Sequence, residues 1–239
     1  MITTIDINCD MGEGLANDEA IMPYITSANI ACGYHAGDEE LMFKTIKRAI
    51  ENNVKIGAHP SFPDRANFGR ANMTLPSNEL KKVVRQQIEH LVKIASSLNV
   101  EVYHVKPHGA LYNMAAKDEK LSHTICDAIE SVNPSLIVYG LSGSLFLKVA
   151  HERGFKVAHE VFADRTYQED GTLTPRTSGD ALIQDEEVMI EQVLQLVKNQ
   201  QVITTNGKII PIKAETLCIH GDGAQALPFA KRIFEEVRG

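Results

Sequence analysis

Ionisable and amide side chains gather at the downstream ends of short apolar runs. Ile5, Ile7 and Cys9 alternate with Asp6, Asn8 and Asp10. An extended chain therefore puts those three polar groups on one face. The same signature recurs in Asn29-Ile-Ala-Cys-Gly-Tyr-His35, in Gly57-Ala-His59-Pro and in His104-Val-Lys106-Pro-His108-Gly. It returns in His159 and Glu160, followed by Asp164 and Arg165, and in Cys218-Ile-His220-Gly-Asp222. Glycines and prolines beside these groups (Gly33, Pro60, Pro107, Gly109, Gly221) mark chain turns that let a ligand approach closely.

Three kinds of chemistry suit such a set. Asp and His are ligands for zinc or a related ion. The His104–His108 spacing would put two imidazoles together on a helix, but Pro107 follows a strand and removes that geometry; HExxH is absent. A carboxylate such as Asp10 beside histidines and Lys106 in a low-dielectric pocket could transfer protons without metal. Lys106, Arg165 and Arg176 could hold a carboxylate or phosphate, the arginines bidentately. A serine triad has little support, because Gly140-Leu-Ser-Gly-Ser is no GxSxG elbow and Ser144 starts a helix. No GxxxxGK[ST] occurs, so there is no P-loop.

Strands are expected at Thr4–Cys9, Ala28–Cys32, Lys55–His59, Glu101–Lys106, Leu136–Gly140, Lys156–Val161 and Thr216–His220. Helices are expected at Glu39–Asn52, Ser77–Leu98 (with Ser77 as N-cap), Lys117–Ser131, Ser144–Arg153, Asp185–Asn199 and Ala224–Val237. Their alternation means βαβ units and a parallel sheet. Asn206-Gly207 signals a hairpin within Val202–Ile212, and Thr166–Gly179 reads as a long functional loop. Met11–Ile25, with two glycines and Pro23, makes a poor first helix, and GxGxxG is missing after the first strand. An irregular TIM-like (β/α) barrel of about seven parallel strands fits better than an open doubly wound sheet. Its C-terminal rim would carry the chemistry, while its inward layers are expected to be branched and apolar.

The chain has 239 residues, 44% of them apolar, and 24 basic against 31 acidic groups, a formal charge of −7. Folding would bury roughly 28,000 Å², enough for a core without disulfides. The acidic balance argues against nucleic acid or an anionic membrane as the main partner. No signal sequence is expected from the first residues, and no run of about 18 apolar residues occurs. Four widely spaced cysteines read as reduced, half-buried thiols, and the expected location is cytoplasmic.

The motifs Asp6-Ile-Asn-Cys-Asp-Met-Gly-Glu-Gly14, Asn29 to Asp38, Gly57 to Asp64, Phe68-Gly-Arg70, Val105 to Tyr112 and Ile219-His-Gly-Asp222 together resemble the LamB/YcsF family. Glu160 to Arg165, Tyr167 and Pro175-Arg176 are similar to the family's own loop. The resemblance runs over nearly the whole chain as one barrel domain, 1–239. It implies a barrel related to polysaccharide-deacetylase-like folds and ATP-dependent opening of 5-oxo-L-proline to L-glutamate. It also implies two partner subunits, B and C, similar to the parts of an allophanate-hydrolase-like module. ATP would be a co-substrate, and phosphorylation also needs Mg²⁺; a bound transition metal stays open. On this resemblance the expected catalytic groups are Asp10, His59, Lys106 and His108. Asn8, Glu13, His35, Arg165, Arg176, His220 and Asp222 are the expected substrate- or phosphate-binding groups. Lys106 and Arg165 would hold anionic groups, Asp10 with His59 would transfer protons, and His35, His108 and His220 would orient substrate. The rivals are a metal-dependent deacetylase or amidohydrolase acting alone and a non-catalytic substrate-binding subunit.

Overall fold

A computed structural model describes residues 5–221, 223 and 225–238. Seven parallel strands close a barrel: β1 (Asp6–Met11), β2 (Ser27–Ala31), β3 (Lys55–His59), β4 (His104–Val105), β5 (Ile137–Leu141), β6 (Val157–Phe162) and β9 (Thr216–Ile219). β6 and β9 both pair in parallel with their neighbours, so β9 seals the barrel against β1. Between them β7 (Gln201–Ile203) and β8 (Ile209–Pro211) make the expected antiparallel hairpin outside the barrel.

The outer layer comprises α1 (Asp18–Ile21), α2 (Glu39–Glu51), α3 (Ser77–Ser97), α4 (Gly109–Ala115), α5 (Glu119–Val132), α6 (Leu145–Glu152), α7 (Glu186–Leu194) and α8 (Ala226–Arg238). α3 shows why these segments are helical. Leu80, Val84, Ile88, Leu91 and Ala95 recur every three or four residues and are all buried, each contributing about 1.5–3 kcal/mol for the larger side chains. Pro76, not Ser77, occupies its N-cap position. Within the same stripe Gln87 exchanges two hydrogen bonds with the Ser61 backbone, at 3.0 and 2.8 Å. It thereby fastens the turn that follows β3. The poor first helix is confirmed as one turn plus a 3-10 turn at Met22–Tyr24. α4 was not expected, because Pro107-His108-Gly109 reads as a turn. β4 is shorter than expected, although Tyr103 and Lys106 on either side still donate to the β3 carbonyls of Ile56 and Ala58.

The barrel interior departs from the expected branched apolar filling. Asp6, Asn8 and Asp10 do share a face, and it points inward. Asp6 accepts from Thr26, Ser27, Thr216 and Tyr139 at 2.7–3.1 Å. Burial opposes its ionisation, but the Ser27, Thr216 and Thr26 hydroxyls outweigh it and hold the carboxyl below its ordinary range. Above it Asn8 donates to Thr216 at 2.7 Å, and Asn29 bridges Asn8 and Asp10 at 2.7 and 2.8 Å. Buried polar groups are tolerated when they satisfy one another, and this column does so except at His104 Nδ1, which has no partner. Gly57 makes room for it: a Cβ there would lie 2.1 Å from His104 Nε2. All four cysteines are unpaired and fully buried rather than half-buried. No helix among the described residues is long and apolar enough to cross a membrane.

Candidate active site

The column ends at the C-terminal mouth of the barrel, where a cavity of about 920 Å³ opens. Asp10, Glu13, His59, Arg70, Lys106, His108, Tyr112, Arg165, Arg176 and His220 all line it. Chain direction and strand parity deliver them: Asp10 from β1, His59 from β3, Lys106 just after β4 and His220 just after β9. Of the site residues expected from the sequence, Asn8 lies one layer beneath the cavity and His35 stands behind its wall against Glu13 and His108. Asp222 lies outside the described residues.

Lys106 is the electrostatic centre. Its Nζ is 3.0 Å from Asp10 Oδ1 and 2.8 Å from Glu160 Oε1, and it also donates to Asn8 at 3.2 Å. Burial alone would lower its pKa, yet Asp10, Cys218 and Glu160 hold it well above the ordinary lysine value. Glu160 Oε2 accepts from the Tyr112 hydroxyl at 2.7 Å. Asp10 is the member of this cluster with the greater reach to the cavity: its side chain is 14% exposed, against 3% for Lys106 and 0% for Glu160. Burial works against the Asp10 charge, but His59 and then Lys106 outweigh it, and its carboxyl lies well below the usual range. Asp10 is therefore ionised at neutral pH, with Oδ1 fixed by Lys106 and Asn29 and Oδ2 3.3 Å from His59 Nε2.

A second cluster lies beside it. His59 Nδ1 is 2.8 Å from the Lys106 carbonyl, and His108 Nε2 is 2.8 Å from the Phe68 carbonyl. His59 Nε2 and His108 Nδ1 then meet at 2.9 Å. Glu13 Oε1 approaches His35 Nε2 at 3.1 Å and His108 Nδ1 at 3.5 Å. The His35 and His108 rings stack at 3.8 Å. Burial, reinforced by His59, pushes His108 down to about 2 and His35 down to about 3, so both are neutral imidazoles at pH 7. Burial, with the Asp10 charge added, raises Glu13 to about 7. Gly69, at φ +66°, lets the chain pass here; a Cβ on it would lie 2.9 Å from both His108 Cδ2 and His35 Cβ.

The arginines play different parts. Arg165 donates to the carbonyls of Ala181 at 3.2 Å and Thr174 at 2.6 Å, which latches the 166–181 loop over the cavity. Arg176 on that loop donates to His220 Nε2 at 2.8 Å, so His220 Nδ1–H donates to Asp164, 2.9 Å from both oxygens. Burial opposes the Asp164 charge, and His220 more than compensates, lowering its pKa. Guanidinium groups retain further donors after such contacts, so Arg176 can still take an anion at the mouth.

The sequence placed Glu160 and Asp164 on the rim segment without assigning them to the site, and Tyr112 entered only as the end of a family motif. Parity would have found Glu160: in β6, His159 and Glu160 face opposite ways, and Glu160 is the fully buried one. Tyr112 needed the unexpected helix α4. His104 and His108 do not share a site, because His104 lies a layer lower, donating to Asn29 at 2.7 Å.

A closed parallel barrel with ionisable groups around its C-terminal mouth puts the chain among (β/α)-barrel proteins that carry their site on that rim. The chain belongs to the LamB/YcsF family, whose model matches residues 5–239. It is 51% identical over 239 residues to the 5-oxoprolinase A-subunit of Bacillus licheniformis, spanning 98% of this chain and 94% of the relative. It is 50% identical over 234 residues to the 5-oxoprolinase A-subunit of Histophilus somni, spanning 98% and 95%. The lactam utilization protein from Thermus thermophilus has closely the same structure, with a TM-score of 0.91 at 33% identity over 98% of this chain and 95% of that one. A beta-1,4-mannanase at TM-score 0.53 and 11% identity shares the fold alone.

Proposed function

We propose that this chain, as one component of a 5-oxoprolinase, opens the ring of 5-oxo-L-proline activated by ATP. The observation that carries this is the meeting of Asp10, His59 and Lys106 at the floor of a cavity lined by arginines. The 5-oxoprolinase relatives at about half identity support it.

A five-membered lactam is a stable amide, so its carbonyl needs activation. Transfer of the γ-phosphoryl group of ATP to the lactam oxygen, with Mg²⁺ on the phosphates, leaves ADP and an imidate-like carbon. Water adds to that carbon and gives up a proton. Expelling phosphate would regenerate the lactam, so productive collapse breaks the C–N bond and gives a glutamyl phosphate. A second water hydrolyses this to glutamate and phosphate. The balance is one ATP and two waters in, one glutamate, one ADP and one phosphate out.

Asp10 suits the proton transfers in this scheme. It is ionised and fixed by three partners, which positions it to take the water proton and pass it to the ring nitrogen, although its lowered pKa makes it a weak base. Lys106 is already neutralised by two carboxylates, so it holds Asp10 in place rather than gripping phosphate. Arg176 and Arg70 at the mouth are the groups for the carboxylate and phosphate. Two partner subunits, B and C, would complete the enzyme, and the missing P-loop does not bar this chain from ATP, which other folds bind without one. Buried free thiols suit a reducing, cytoplasmic location.

Reconstitution tests this. The chain is assayed with and without candidate B and C subunits, ATP and 5-oxoproline, with glutamate and phosphate measured together. The expected result is glutamate and phosphate in equal amounts, formed when all components are present. Glutamate formed without ATP consumption refutes the coupled scheme.

A further inference from the structure

The contact between His59 and His108 does not balance in its hydrogens. A carbonyl oxygen can only accept, so His59 Nδ1 must donate to Lys106 and His108 Nε2 must donate to Phe68. With both rings neutral, the remaining nitrogens, His59 Nε2 and His108 Nδ1, are bare lone pairs, and Asp10 Oδ2 stands 3.3 Å from the first of them. These two lone pairs face each other at 2.9 Å. Something positive must lie between them.

A proton would satisfy that pair and needs no other partner. Here two more donors close on the same point. Glu13 Oε1 is 3.5 Å from His108 Nδ1, and His35 Nε2 is 3.1 Å from Glu13 Oε1. The four ligand atoms of Glu13, His35, His59 and His108 all lie within 4.8 Å of one another. Zinc bound tetrahedrally at about 2.0–2.1 Å sets its ligand atoms about 3.3 Å apart, which falls inside the observed spread. The carbonyls behind His59 and His108 are the outer partners that orient metal-binding imidazoles and fix their tautomers. His35 has no such partner, since its Nδ1 is buried without a hydrogen bond.

We propose that Glu13, His35, His59 and His108 form a site for one divalent transition ion of the zinc class. Three imidazoles and one carboxylate are a donor set for zinc or cobalt and a poor one for magnesium or calcium, which take oxygen. An ion held there would add positive charge beside Asp10 in the same cavity. The site does not depend on the ring-opening scheme. It is measured on this chain alone, without lactam, ATP or partners, so either proposal can fail while the other stands.

The full chain is freed of metal with a chelator and titrated with Zn²⁺ by equilibrium dialysis and with Co²⁺ by visible absorption. One equivalent of each should bind, Co²⁺ giving the intense bands of a four-coordinate ion. His108→Gln and Glu13→Gln should each weaken binding at least about 100-fold, beyond the 10–100-fold typical of a lost outer partner. His90→Ala, at a surface histidine paired with Glu39, should leave it unchanged. If the site variants do not fold, imidazole ¹⁵N NMR of the wild-type chain decides: Zn²⁺ should move His59 Nε2 and His108 Nδ1. Absence of stoichiometric binding, binding that survives both site variants, or Zn²⁺ that leaves those two nitrogens unmoved would overturn the proposal and leave a proton as the bridge.

Discussion

Lys106→Met is the sharpest test of the charge cluster at the barrel mouth. At an effective dielectric of 20, Lys106 gains about 6 kcal/mol of attraction from Glu160 at 2.8 Å and a similar amount from Asp10 at 3.0 Å. Desolvation offsets much of this, so the net value of the cluster is small, but removing one partner strands the others. The expected loss is about 3–5 kcal/mol, a melting-temperature drop of roughly 6–20 °C for a chain of this size. The discriminating variant is the pair Lys106→Met with Glu160→Gln. The amide oxygen can still accept from Tyr112, and the stranded carboxylate is gone. The double variant should therefore be more stable than Lys106→Met alone, by about 1–2 kcal/mol. Urea and thermal melts of wild type, both single variants and the double variant give the cycle. Losses that add to within about 0.5 kcal/mol would mean that the two groups act independently, and the coupling derived from the geometry would be wrong.

Asp10→Asn should cut turnover of the reconstituted enzyme by about 10²–10⁴ while changing KM little; weaker substrate binding with turnover intact at saturation would instead favour a non-catalytic binding role. Asp18 accepts from Gly12 N–H at 2.8 Å with its other oxygen unpartnered, and burial raises its pKa to about 6. A raised carboxyl favours the folded state below its unfolded value near 4 and loses that contribution as pH rises through 6. Asp18→Asn should therefore add up to about 3 kcal/mol at pH 7 and nothing at pH 3, which melts across that range will show. Gly57→Ala should cost about 1–3 kcal/mol or more by driving a methyl into His104; a wild-type melting temperature would show that the interior can yield there.

Much of the site was legible because strand periodicity is local. The alternation from Ile5 to Asp10 put three polar groups on one face, though not which face turned inward, and the downstream placement of His59, Lys106 and His220 put them on one rim. What was not legible depends on contacts across the barrel. Nothing near Arg165 in the chain shows that its guanidinium is occupied by carbonyls of Thr174 and Ala181. Lys106 reads as an anion holder until β6 brings Glu160 to its other side. The same limit applies to Asp164, whose partner His220 lies on a different strand end. Helix α4 was missed because Gly109, at φ +54°, begins it where a glycine after proline normally signals a reversal.

The hydrogen-bonded column inside the barrel has a consequence for how this protein can change. An oily interior accepts many substitutions of similar volume, because dispersion has no direction. Here each rung specifies which atom gives and which receives, from Asp6 at one opening to Asp10 at the other. A swap at Asn8, Asn29 or Thr216 would pass its mismatch upward to the reacting carboxylate. The outer wall of the strands, buried against the helices, has only volume to conserve, whereas the inner wall has to be replaced in matched sets.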